Sequence, residues 1–199
     1  MNELEKVVQI EYRLKDKDVL FDVGQAVSAN RKQVLSKGGT LRTFTATVRS
    51  LMTQGIILFA LAAFLTVQMF AGGADLFGLI LLIISVLFGT IALAVSLMNR
   101  KNYRYGLESY QRNNGAGGQL IFDGRGIKEV GSKDGPNVYS WEEYSACVLT
   151  EEAVTFLFER PVLLIFSNDA QMEKDLAAAL NAFNKGHTMH RCSIKRKRK

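Results

Sequence analysis

LMTQGIILFALAAFLTVQMFAGGADLFGLILLIISVLFGTIALAVSLM, residues 51–98, is the stretch whose reading decides the fold. Its one charged side chain is Asp75, and Gly72-Gly73-Ala74-Asp75 divides it into two apolar runs, 51–71 and 76–98. At a helical rise of ~1.5 Å per residue these runs span about 31 and 34 Å, which matches a ~30 Å hydrocarbon core. A small domain runs out of core before it can hide two such helices on every face. The reading is therefore a transmembrane helical hairpin, and so short a linker requires the second helix to return antiparallel.

The flanks give the direction. Arg31, Lys32, Lys37, Arg42 and Arg49 precede the first run, and Arg100, Lys101, Arg104 and Arg112 follow the second, whereas the linker carries no Lys or Arg. Basic residues near span ends stay in the cytoplasm, so both ends of the chain are expected there. Tyr103 and Tyr105 stand where an interfacial aromatic belt would lie. The opening residues MNELEKVVQIEYRL have no apolar run or small-residue cleavage site, so no removable leader is expected.

Within the two runs the polar side chains are Thr53, Gln54, Thr66, Gln68, Ser85, Thr90 and Ser96, and none is ionisable. Coupled transport and proton relays use ionisable groups at depth, which argues against a two-span transporter acting alone. Ser85, Gly89, Ala92 and Ser96 form one stripe of small residues on the second helix. Such a stripe lets backbones approach closely. Its expected neighbour is the first helix, with a second copy or a partner membrane protein as the alternative.

Apart from Asp75, all the charge lies in the rest of the chain, and the whole has a net charge of +6. Val8, Ile10, Tyr12 and Leu14 alternate with polar residues and predict a half-buried strand. Asp16 is a candidate N-cap for a helix on Val19, Leu20, Val23, Ala26 and Val27 that ends at Gly38-Gly39. Residues 40–50 suit either a strand or a lead-in to the first span. After the hairpin, residues 100–114 continue as helix until Gly115-Ala116-Gly117-Gly118, expected to be a hinge. Short β-like runs follow at 120–122, 127–130, 138–141, 146–149, 154–158 and 162–166, separated by turn signals. Asn168 or Asp169 then caps a helix carrying Met172, Leu176, Ala179, Leu180 and Phe183 on one stripe.

The expected fold class is thus an α+β membrane protein, a transmembrane hairpin (51–98) with a cytoplasmic antiparallel β meander closed by a C-terminal helix (119–186). Residues 1–50 form a cytoplasmic strand and helix able to join that sheet. Residues 99–118 form the membrane-exit helix and hinge, and residues 187–199 a disordered basic tail.

Ile10-Glu11-Tyr12, Gly126-Ile127, Trp141 and Tyr144, set in this order of elements, resemble the YcxB-like family of bacterial membrane proteins. The resemblance implies a pleckstrin-homology-like sheet domain, a bacterial inner membrane, and no reaction or catalytic residue. The basic tail is not part of the resemblance.

The candidate sites are few. His187, His190 and Cys192 give H-x-x-H-x-C without a fourth ligand on a fixed scaffold, so no metal is expected. The glycine run lacks the Lys-Ser/Thr of a phosphate loop, so no nucleotide cofactor is expected. Glu142-Glu143 and Glu151-Glu152 read as neighbours on strands, on opposite faces, and as solvated charge. Cys147 and Cys192 read as reduced thiols. Trp141 and Tyr144 either fill the core or line a recognition groove. Arg191 and the run Lys195, Arg196, Lys197, Arg198, Lys199 point to anionic membrane lipids, at about 1 kcal/mol per well-placed cation. No aromatic interleaving suggests nucleic acid. The expected function is a non-enzymatic membrane-anchored binding or scaffolding module; the alternative is an accessory subunit of a larger transporter or export/immunity complex.

Overall fold

The computed structural model describes residues 6–72, 75–132, 135–160 and 163–195. In chain order they form β1 (Val8–Arg13), α1 (Lys17–Ala29), α2 (Arg31–Lys37), β2 (Gly39–Arg42), α3 (Phe44–Gly72), α4 (Leu76–Asn113), β3 (Asn114–Asp123), β4 (Gly126–Ser132), β5 (Asn137–Ser140), β6 (Tyr144–Leu149), β7 (Ala153–Phe158), β8 (Leu163–Ser167), α5 (Ala170–Ala182) and β9 (Met189–Lys195). They fall into two compact units, Met1–Phe44 with Leu107–Lys199, and Thr45–Gly106. The chain is α+β, with two long apolar helices and two β-sheets.

The first unit is layered because β7 is buried at all six positions. A strand buried on both faces lies between two other layers. One sheet has the order β1-β3-β4-β5 and the other β2-β9-β6-β7-β8. Alternate residues of the second sheet divide its sides: Cys147, Leu149, Val154, Phe156, Phe158, Leu164 and Phe166 meet Ile10, Tyr12, Leu120, Phe122 and Ile127 of the first sheet, together with Leu176 and Leu180 of α5. Val148, Ala153, Leu157, Ile165 and Cys192 face the other way, onto Leu20, Val23 and Val27 of α1 and Val34 of α2. Fully burying one large apolar side chain contributes roughly 1.5–3 kcal/mol, so the two cores supply much of this unit's stability.

Several expectations change here. The sheet is not a simple antiparallel meander, since β9 runs parallel to both β6 and β2. Residues 189–195 are therefore a strand and not a disordered tail, held by backbone pairing on both edges and by burial of Cys192. Arg196, Lys197, Arg198 and Lys199 lie outside the described residues. The open question of residues 40–50 resolves both ways: β2 ends at Arg42 and α3 begins at Phe44. Gly115–118 is no hinge, because α4 passes directly into β3 and Gly117 and Gly118 pair with Arg13 and Tyr12. The single amphipathic helix becomes two, broken at Asn30, whose Nδ2 donates to the Ala26 carbonyl at 2.8 Å. Asp16 begins α1 with its backbone carbonyl and not its side chain. Asp169 does cap α5, its Oδ1 accepting from the Gln171 and Met172 amides at 3.1 and 2.8 Å.

In the second unit α3 and α4 pack along small residues. The buried positions are Val48, Gly55 and Ala62 on α3, and Ser85, Gly89 and Ser96 on α4. A Cβ added at Gly89 would lie 3.2 Å from the Phe59 ring, and one at Gly55 would lie 2.8 Å from Leu93. Ser96 donates to the Val48 carbonyl at 3.1 Å. The small-residue stripe is therefore taken up by the first helix of the same chain, with Ala92 half-buried beside it.

Candidate functional site

Three surfaces or clusters stand out, and the largest is apolar. Only 11% of the most apolar stretch of α3, and the same share of α4, is buried. Phe64, Val67, Phe70, Leu76, Ile83 and Phe88 are among many large side chains left open, with Phe70 89% and Leu76 75% exposed. Outside these two helices, the exposed large hydrophobics among the described residues are only Val7, Leu35, Val130 and Val138. Thr53, Thr66 and Thr90 turn their hydroxyls back onto carbonyls one turn earlier, at 3.0, 2.8 and 2.8 Å. That arrangement satisfies a hydroxyl without water.

The second is the outer face of β2 and β9. Arg191, Ser193 and Lys195 are exposed while Cys192 is buried between them. Across the parallel pairing, Thr40 is level with Ser193 and Arg42 with Lys195. The Thr40 and Ser193 hydroxyls are 2.8 Å apart. Arg191 is drawn aside into an ion pair with Glu173 of α5, so its charge is already partnered within the chain. Among the described residues no carboxylate ion-pairs with Arg42 or Lys195.

The third is internal and was not read from the sequence. Glu129 of β4 is 4% exposed and accepts from the Tyr12 hydroxyl at 2.8 Å, Asn137 Nδ2 at 3.1 Å and the Tyr139 hydroxyl at 3.3 Å. Tyr12 fits because β3 offers Gly118 opposite it; a Cβ there would lie 2.7 Å from the Tyr12 hydroxyl and collide with the Val130 carbonyl. Burial, reinforced by the Glu129 carboxylate, holds the Tyr12 and Tyr139 hydroxyls well above the ordinary phenol range. Both therefore stay protonated donors. The signal was present in Gly126-Ile-Lys-Glu-Val: Glu129 shares the inward parity of Ile127.

Trp141 and Tyr144 belong to the core. The Trp141 indole donates to the Asp123 carbonyl at 2.7 Å, and its ring meets Phe122, Tyr144 and Phe183. Tyr144 is 8% exposed, with its hydroxyl 2.7 Å from that of Thr188. Tyr144 is thus part of the core, and Trp141 packs half-buried against its edge. Glu142-Glu143 and Glu151-Glu152 sit in the bends flanking β6 and not on strands, and Glu143 pairs with Arg160.

Cys147 and Cys192 lie on opposite faces of one sheet, in different cores. Burial pushes both thiols up from their ordinary range. His187 stands in the short turn Gly186–Thr188, and among the described residues no group of three or more His, Cys, Asp or Glu could hold a metal. An open cleft of about 490 Å³ lies between β1 and the first turns of α5, edged by Glu11, Arg13, Lys15, Asp169 and Asp175. Charges of both signs surround it, so it selects no ligand charge. Compared with protein-family models, with curated proteins and with solved structures, the chain has no match.

Proposed function

We propose that the chain is a non-enzymatic, membrane-anchored binding module that crosses a bacterial inner membrane twice, with both ends in the cytoplasm. The observation that carries this reading is the uncovered apolar surface of α3 and α4. Water contact forfeits ~25 cal/mol for each Å² of apolar surface, and soluble monomers rarely leave more than a few hundred Å² of contiguous apolar patch open. Lipid removes that cost, and the back-bonded threonines are satisfied in it. The nine basic residues that flank the two apolar runs, against none in the linker, support the orientation.

The binding role rests on the first unit. A sheet of β1, β3, β4 and β5 faces β6, β7 and β8 across a core shared with α5. We take it to be the pleckstrin-homology-like sheet domain that the resemblance to the YcxB-like family implies. Such folds serve as recognition platforms, and function then resides in sites placed on them.

The test has two arms. Membranes carrying the chain are extracted with alkaline carbonate and floated, and the chain should stay with the lipid; release into the supernatant would overturn the anchoring. A cysteine placed at Val130 should react with an impermeant reagent only in opened cells, and one at Ala74 in intact cells. The reverse pattern would overturn the orientation. Copurification in mild detergent separates the module from an accessory subunit, for which a stoichiometric membrane partner is required.

A further inference from the structure

The pairing of β2 with β9 creates an arrangement that stability alone does not explain. Arg42 and Lys195 are level neighbours on adjacent strands, both exposed. Neighbouring strands run about 4.8 Å apart, and like charges directly opposite one another destabilise a sheet. Among the described residues neither cation has an ion-pair partner. Two residues back on the same face, Thr40 and Ser193 hydrogen-bond through their hydroxyls. In such a pair one hydroxyl donates to the other, whose own proton remains free.

Two cations and a spare hydroxyl on one face form the donor set that a phosphodiester accepts. Their place in the chain says where that phosphate comes from. Residues 43–50 alone separate Arg42 from the charge-free stretch of α3, and Phe44 already begins the helix. At ~1.5 Å per helical residue the helical part of that stretch, 44–50, rises about 10 Å. The headgroup zone of one leaflet is about 5–8 Å deep, and long basic side chains extend to meet it.

We infer that Arg42, Lys195, Thr40 and Ser193 form a binding site for the phosphodiester headgroup of an anionic phospholipid, at the point where the chain enters the bilayer. The inference rests on the membrane reading above. It makes the sheet, and not a loose tail, the element that presents the basic run: β9 delivers Lys195 beside Arg42, and Arg196-Lys197-Arg198-Lys199 follow it in sequence.

The experiment uses the full chain, purified in neutral detergent, stripped of lipid and titrated with phosphatidylglycerol, phosphatidylcholine or glycerol 3-phosphate. Bound molecules are counted by native mass spectrometry. Phosphatidylglycerol should be retained in preference to the other two. The double variant Arg42→Gln/Lys195→Gln should bind it roughly ten- to thirtyfold more weakly, each single exchange should lose part of that, and Arg42→Lys should keep most of it. The variant Arg125→Gln/Lys174→Gln removes the same charge from exposed positions elsewhere and should bind as the parent does. Unchanged Trp141 emission confirms that each variant is folded. An equal loss in the Arg125/Lys174 variant would reduce the effect to net charge and overturn the site. Equal retention of phosphatidylcholine, or of glycerol 3-phosphate, would overturn the anionic-lipid assignment. Failure of the carbonate and flotation test strikes the membrane reading itself, whereas an anchored chain indifferent to the double exchange removes only this site.

Discussion

Glu129 offers the sharpest test of how the first unit is held together. Its carboxylate is buried with three donors around it, and the three differ in their access to water. Tyr12 is 3% exposed, whereas Asn137 and Tyr139 are half-buried. Exchange of Glu129 for Leu should therefore orphan one hydroxyl, that of Tyr12, at about 1–3 kcal/mol; water can reach the other two donors. Exchange of Tyr12 for Phe removes the most buried donor from the Glu129 carboxylate and should cost about 1.5–3 kcal/mol. In the double variant neither partner is left behind, because an apolar pair then meets Leu120 and Phe166, which already pack in this core. The two losses should overlap, with a coupling of about 1–3 kcal/mol. Denaturant unfolding of the full chain in detergent, followed by the emission of its single tryptophan, measures all four corners of the cycle. Trp141 lies in the same core, so the signal follows this unit. Coupling below about 0.5 kcal/mol would refute the claim that Tyr12 and Glu129 stabilise one another.

Gly118→Ala should destabilise the same unit by about 1–3 kcal/mol, since its Cβ meets the Val130 carbonyl and the Tyr12 hydroxyl; an unchanged unfolding midpoint would contradict this. Gly89→Leu should separate α3 from α4, because even a Cβ there presses on the Phe59 ring, and crosslinking between cysteines placed at Gly55 and Leu93 should fall. Cys147 and Cys192 should show no disulfide on a non-reducing gel and react with maleimide only after unfolding, given their burial on opposite faces; rapid native labelling would contradict the packing. Buried Tyr12 and Tyr144 and half-buried Tyr110 and Tyr139 have folded-state pKa values raised above the ordinary ~10. In that window the unfolded chain loses protons that the folded one keeps, so stability is full below about pH 10 and falls as pH rises above it. Absorbance at 295 nm should show these tyrosinates appearing together with unfolding; their ionisation in the folded state would refute it.

Local patterning alone determined the two apolar helices, β1 and the capped helix α5. Each is written in the spacing of residues along one short segment, through the length of an uncharged run, the alternation around Tyr12, or Asp169 ahead of Met172 and Leu176. The basic flanks are equally legible, because charge needs no partner to be read. What tertiary structure decided was every feature that joins distant segments. Residues 189–195 carry only a sparse apolar pattern and form a strand because β6 and β2 flank them, Gly39 pairing with Cys192. The glycines of β3 signal a break locally, yet in the sheet they make room for the ring of Tyr12. Trp141 and Tyr144 could line a groove or a core until Phe122, Phe183 and Thr188 are brought against them. The burial of Glu129 also depends on another strand, since the hydroxyl that satisfies it comes from β1, far away in sequence. Periodicity reports which side of an element turns inward, but the chain's long-range pairings decide what waits there.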